Sequence, residues 1–468
     1  MDKPNTPRVL AVPDENLRAL AWIGPMLMLL GEAIGSGEIL TEPIAGARYG
    51  GALLWVILFT VVTKAFWNEA IGRVALATGQ NFLEACSGMG PPTSWVPWLW
   101  LVVNAVKDFL LRGGIVAIGG LICYDVFGDL PAWMVPGSAP PGTPANEAAQ
   151  SVSWTFLNFA LVWLTLVGGG YRLAESFNTV FCLVFTVALV ACAVFIVPEV
   201  TGELASGLVP RMADSPDQLL VMMSLAGIVM AGSGTIKYSA WAEERDMGLF
   251  AHTRETGRLS REQFQPTSEE EVRRMRGWLR VSRINISLSY GLGMLICLAT
   301  FILGVGILRP AGVQLAGAGL ARELSLMMTQ VLGPWARSLF YLGAWAAIMS
   351  TAISIFDGSS RIFIQPFRAK LPGLFARLSA NHWQNIVMSL MMTGSWIVYA
   401  FIPKPVTLVL VMGAIDAPLI GVLMITYAFL GRRYLPQAYR SGPFWCVSMV
   451  LIGLLYLALG MSYMFLKV

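Results

Sequence analysis

Apolar runs separated by short polar connectors recur along the chain from Leu20 to Leu466. A helical membrane span needs about 20 predominantly apolar residues. By that measure the pattern predicts about eleven spans, near 20–46, 51–75, 95–127, 153–172, 176–198, 217–243, 278–308, 335–358, 383–402, 405–430 and 443–467. Stretches such as Phe181 to Val197 are continuously apolar, whereas membrane-spanning strands show short alternating segments. The predicted class is an all-α polytopic membrane protein with the lipid bilayer as its solvent.

The pattern also repeats internally. Span 1 reads Ala33-Ile34-Gly35-Ser36-Gly37-Glu38-Ile39, and span 6 reads Met230-Ala231-Gly232-Ser233-Gly234-Thr235-Ile236. Each places Gly-Ser-Gly at mid-span, where a glycine costs a helix about 1 kcal/mol relative to alanine. The two sites lie five spans apart, an odd offset that sets the halves in opposite orientations. This predicts a segment 1–19, a five-helix repeat over 20–198, a second, inverted one over 217–430 and a peripheral eleventh helix over 443–468. Broken backbone at mid-membrane depth cannot face lipid, so both breaks should line a cavity or be buried by protein. Close helix contact through small residues is the plainer explanation of the same glycines.

Composition sharpens the class. Only 13% of residues are charged and 56% are hydrophobic, with a mean hydropathy of +0.64. Soluble domains carry about 25% charged residues, so a soluble enzyme, a disordered regulator and a nucleic-acid binder are excluded. The net charge of +4 has a topological origin. With the N-terminus inside, 21 Lys/Arg fall in cytoplasmic connectors and 7 outside. This predicts a multi-pass protein of the cell membrane with a cytoplasmic N-terminus and an external C-terminus. Arg245–Arg283 is then a cytoplasmic loop, and the Pro/Gly-rich connector 128–153 lies outside. The apolar run after residue 19 continues into a full span, so no cleaved signal peptide is expected. The six cysteines lack CxxC spacing and sit mostly in apolar runs, which suits small buried hydrophobes. The two histidines fall in connectors, so no zinc or haem site and no cofactor is expected. No nucleophile–base–orienter set is visible, which argues against an enzyme.

The stretch Gly50, Leu53-Leu54-Trp55 and Ala77-Thr78-Gly79-Gln80-Asn81-Phe82-Leu83-Glu84-Ala85 resembles the second span of the Nramp (natural resistance-associated macrophage protein) family. Ser350-Thr351-Ala352-Ile353-Ser354 is similar to its Ser/Thr-rich eighth span. The resemblance implies the LeuT-like fold, ten helices in two inverted sets of five plus a peripheral one, and proton-coupled divalent metal transport. The family's first-span Asp-Pro-Gly-Asn falls on Gly35-Ser36-Gly37-Glu38, so its ligating Asp is Gly35 and its ligating Asn is Glu38. Its sixth-span Met-Pro-His falls on the Gly232–Thr235 region, which offers no Met, Pro or His. A thioether selects soft transition metals, and none is expected there.

Ionisable groups at depth cost at least about 2.5–3.5 kcal/mol each, so each needs a partner or a task. Glu32, Glu38 and Glu42 surround the first break, and Lys237 follows the second. Glu38 and Lys237 are expected at one central cavity, either binding a cationic and an anionic group or neutralising each other. The expected substrate site is Gly35, Ser36, Gly37, Glu38, Gly232, Ser233, Gly234, Thr235 and Lys237, with Glu38 as the candidate metal ligand. In span 3, Asn104, Asp108 and Arg112 share a helical face. The resemblance puts Asp108 on a proton route whose second acidic position is Leu111 here, and structural ion pairing within the bundle is the plainer reading. Asp416, beside Pro418, is a coupling candidate or a cap of the kink. The expected coupling set is Asp108, Arg112, Asp416 and Glu42. Lys64, Asn68 and Glu69 are expected near the cytoplasmic end of span 2, with Lys64 snorkelling or pairing locally. Asp357 and Arg361 are spaced to form an interfacial pair or gate. The predicted function is secondary transport by alternating access, of a divalent cation with protons as coupling ion or of a small zwitterion or carboxylate using Glu38 and Lys237. A receptor or scaffold would need a soluble signalling domain, for which the connector near 246–277 is too short.

Overall fold

The structure is a computed structural model and describes residues 22–466 except 23, 136, 138, 169–170, 257–258, 314, 316, 318, 371–372 and 374–377. The expected cytoplasmic segment 1–19 lies outside the described residues. All described elements are helical.

The first expected span is split. Helix α1 (Gly24–Ala33) passes into a π-helical turn at Ile34–Glu38 before α2 (Thr41–Tyr49) and α3 (Leu54–Thr78). Gly79 ends α3 in a left-handed conformation (φ 62°). Asn81 then caps α4 (Phe82–Met89): its side chain accepts the Glu84 N–H at 2.9 Å, and Glu84 accepts the Asn81 N–H at 3.0 Å. The stretch that carried the family resemblance is thus a helix stop followed by a capping box. Helices α5 (Val96–Val106) and α6 (Gly113–Phe127) flank a π-helical turn at Lys107–Leu111. Helices α7 (Pro144–Val167) and α8 (Tyr171–Ser206) follow.

Helix α9 (Pro216–Ile228) enters the second break, Val229–Lys237, and resumes as α10 (Tyr238–Glu244). The remainder comprises α11 (Phe250–Thr256), α12 (Glu269–Leu303), α13 (Leu320–Leu332), α14 (Ala336–Lys370), α15 (Ala380–Phe401), α16 (Pro405–Phe429) and α17 (Pro443–Leu466).

Nine helical stretches among the described residues are long and apolar enough to cross a membrane, against about eleven expected. Two physical reasons account for the difference. The break leaves α1 only 10 residues long, and α15, with Asn381, Gln384 and Asn385 in its first turns, does not reach the apolarity of the rest. Helix starts follow caps rather than hydropathy. Capped by Thr143 and Ser268, α7 and α12 start nine residues before the apolar pattern begins.

The apolar segment within Pro216–Glu244 is 94% buried and that within Pro443–Ser462 only 22%. The broken helix is therefore the centre of the bundle, and α17 packs at its edge against α16. The exposed faces of α8 and α17 carry Val194, Phe195, Leu451 and Leu454, side chains suited to lipid. Both breaks face each other, with α14 and α12 beside the first and α3 and α16 beside the second.

Candidate functional site

The second break is centred on Met230 (φ 54°), Ala231 (φ 65°) and Gly232 (φ 58°), all left-handed. Two of these are not glycine, a conformation that costs about 1–2 kcal/mol per residue. The expected Gly232–Thr235 lies inside this break, whose left-handed centre begins two residues earlier, so a methionine does stand at the break. Gly232 admits no side chain, since a Cβ there would lie 2.5 Å from the Gly227 carbonyl and against Asp416.

The backbone groups freed by this break are met by charged side chains. Lys64 Nζ donates to the Gly227 and Val229 carbonyls at 2.8 and 2.5 Å. Lys64 is 0% exposed, so the snorkelling expected of it is corrected: it closes the end of α9. On the other side, Asp416 Oδ2 accepts the Ser233 N–H at 2.8 Å. Lys107 Nζ joins Asp416 Oδ1 (2.6 Å), Ser233 Oγ (2.9 Å) and Asn104 Oδ1 (3.2 Å). Thr235 Oγ1 accepts from Trp67 Nε1 at 3.0 Å and donates to the Gly232 carbonyl at 3.1 Å.

The first break is held by α14. Thr351 Oγ1 accepts the Gly35 N–H at 2.9 Å and donates to the Gly31 carbonyl at 2.7 Å. A Cβ at Gly35 would lie 2.6 Å from the Ala347 carbonyl. The volume that a ligating carboxylate would occupy at position 35 is filled by α14. Gly37 lies in the same π-helical turn, as does Ser36, whose side chain is outside the description.

Glu38 ends this turn and joins the two breaks, because its Oε1 accepts the Met230 N–H at 3.2 Å. Glu42 stands one turn on in α2, and Cys297 faces both from α12. Among the described residues these three bring one donor atom each to within 4.8 Å of one another. All three are buried to 0% exposure. The Cys297 Sγ lies 3.8 Å from Glu38 Oε1. Neither oxygen of Glu42 accepts a hydrogen bond from the described residues.

Other expected site residues are drawn elsewhere. Lys237 Nζ binds Glu32 Oε1 at 2.5 Å and Ser359 Oγ at 3.5 Å, so the expected meeting of Glu38 with Lys237 is corrected. Gly234 lies against that pair. Asp108 Oδ1 accepts from Arg112 Nε at 2.8 Å, both buried. A π-helical turn runs over Lys107–Leu111, and Asn104 just before it accepts from Lys107 and Ser233. Asp357 and Arg361 do pair, at 3.1 Å, with Arg361 also reaching Glu244 at 3.0 Å.

Sequence reasoning missed Cys297, treated as a small hydrophobe, and Met230, two residues upstream of the glycine used to place the break. It also missed the carbonyl-binding role of Lys64. A cysteine in an apolar run carries no signal of its own. An ammonium group in the middle of span 2 did carry one, since burial there demands acceptors.

Two broken helices meeting at the middle of an all-helical bundle define a membrane transporter of the LeuT-like architecture. The fold is similar to that of a manganese transporter from Eremococcus coleocola, with a TM-score of 0.64 over 98% of this chain and 90% of that one at 13% identity. It is also similar to MhsT in complex with L-phenylalanine, with a TM-score of 0.52 over 94% of this chain and 98% of that one at 17% identity. The Natural resistance-associated macrophage protein-like profile matches residues 26–466, and the chain belongs to this Nramp family. Relatives include the Divalent metal cation transporter MntH of Deinococcus radiodurans, 24% identical over 74% of this chain and 69% of that protein. The protein of the same name from Acidiphilium cryptum is 23% identical over 73% of this chain and 70% of its own length.

Proposed function

We propose that this chain carries divalent metal cations across the cell membrane as a secondary transporter, by alternating access to a site between the two breaks. One observation carries the reading: the buried Glu38 carboxylate ends the first break and accepts the Met230 N–H of the second. A cation held there touches both broken helices, so rocking one helix set against the other changes the side to which it is exposed. The names of the relatives support a divalent cation as cargo. The ligand set is altered: position 35 is glycine, position 38 is glutamate, and Glu42 and Cys297 stand beside it. In this reading the N-terminus is cytoplasmic, the C-terminus external, and the sets 20–198 and 217–430 move against each other beside the peripheral 443–468.

Protons are the proposed coupling ion. Asp108 and Asp416 are held by Arg112 and Lys107, which leaves Glu42 as the carboxylate for proton exchange. An organic zwitterion would need Glu38 and Lys237 at one site, and Lys237 is held by Glu32 instead.

Uptake into proteoliposomes tests the reading, comparing Mn²⁺ and Mg²⁺ with amino and carboxylic acids, with and without a pH gradient. Metal uptake abolished by Glu38→Ala is the expected result. Uptake of an organic acid with no metal uptake up to millimolar concentration would overturn it.

A further inference from the structure

The three donor atoms at the first break differ in chemistry, and that difference goes beyond the presence of a cation site. Glu38 and Glu42 offer hard oxygens, while Cys297 offers a soft sulfur from a third element, α12. We propose that Glu38, Glu42 and Cys297 together form the cargo site, and that its sulfur makes it selective for borderline and soft divalent ions such as Co²⁺, Zn²⁺ and Cd²⁺ over Mg²⁺ and Ca²⁺. The inference rests on the transporter reading above and adds the ligand set and the substrate class.

Three observations support it. The first is the state of Glu42. It is 0% exposed, its carboxylate is within reach of the other two donors, and neither of its oxygens accepts a hydrogen bond from the described residues. A buried carboxylate left this way stays ionised only at a cost of several kcal/mol, so it takes up either a proton or a cation. The second is spacing. A metal with sulfur at about 2.3 Å and oxygen at about 2.1 Å holds those atoms about 3.6 Å apart in a tetrahedral site. Cys297 Sγ and Glu38 Oε1 are already 3.8 Å apart. The third is charge. Lys64 interacts electrostatically with both carboxylates but spends its hydrogen bonds on the Gly227 and Val229 carbonyls. It tempers the negative charge of the site without occupying it.

Softness then decides among cations. Mg²⁺ and Ca²⁺ take oxygen ligands, and Mg²⁺ keeps several waters. A dry site with one sulfur among its donors favours ions that accept thiolate. The site lies on the side of the first break towards α2, so it does not need a ligand at position 35, where α14 leaves no room.

The test is cobalt and cadmium binding to the detergent-purified full chain. Wild-type protein with Co²⁺ should show a near-ultraviolet sulfur-to-metal charge-transfer band. Cys297→Ser should lose the band and weaken Cd²⁺ binding by at least about tenfold, narrowing the preference for Cd²⁺ over Mg²⁺. A second variant guards against misfolding of the first: replacing Cys86, Cys123, Cys182, Cys192 and Cys446 by alanine should leave the band intact. Cobalt binding without the band, or a band that survives Cys297→Ser, overturns the sulfur site and leaves metal transport standing. Absence of any divalent binding or uptake by the wild-type protein overturns the transport reading as well.

Discussion

The two breaks solve the same backbone problem with opposite surroundings. At the second, each charged group has a fixed partner: Lys64 holds carbonyls, and Asp416 holds the Ser233 N–H and Lys107. At the first, Thr351 satisfies the backbone with a neutral hydroxyl, and the carboxylate of Glu42 accepts no hydrogen bond from the described residues. A saturated set of buried charges holds the fold. In the proposed reading, Glu42 beside it is the carboxylate left to meet a charge from solution. The difference separates residues of structure from residues of cargo better than their shared burial does.

The strongest way to break the comparison is at the saturated pair. Lys107→Met leaves Asp416 buried without its cation and should cost about 3–5 kcal/mol of stability, read by denaturation in detergent. Adding Asp416→Leu should recover most of that loss, and an unrecovered double variant would mean the pair does more than neutralise. At the unsaturated site the sign reverses. Glu42→Gln should raise the melting temperature of the metal-free protein while weakening Co²⁺ binding about 10–100-fold, equivalent to about 1.4–2.7 kcal/mol by titration. Equal destabilisation at both sites would erase the distinction.

Packing at the first break gives a smaller effect. Gly35→Ala pushes a methyl onto the Ala347 carbonyl and should cost about 1–3 kcal/mol in the same denaturation assay. The smallest effect belongs to the half-exposed Arg309–Glu203 pair, where Arg309→Ala should change stability by about 0–1 kcal/mol. A larger loss there would show that partnered charges matter regardless of burial.

Spans and breaks were legible because hydropathy and mid-span glycines act locally. The second break was displaced by a few residues because its left-handed centre includes Met230 and Ala231, which no local preference marks. The partners were less legible. Lys64 meets carbonyls more than 160 positions away that become free acceptors only once α9 stops. Lys237 reached Glu32 rather than Glu38, although both carboxylates flank the same turn. Six positions separate Glu32, which neutralises a lysine, from Glu38, which faces the thiol of Cys297, and residue type alone does not record that difference.

Lys64 also bears on electrical measurements. Its ammonium is covalently attached and stays with the protein through every turnover. A charge of that kind adds to a transport current only through its own displacement along the membrane normal. The net charge moved per cycle is therefore that of the cargo and its coupled ion, so currents recorded on reconstituted membranes count ions directly.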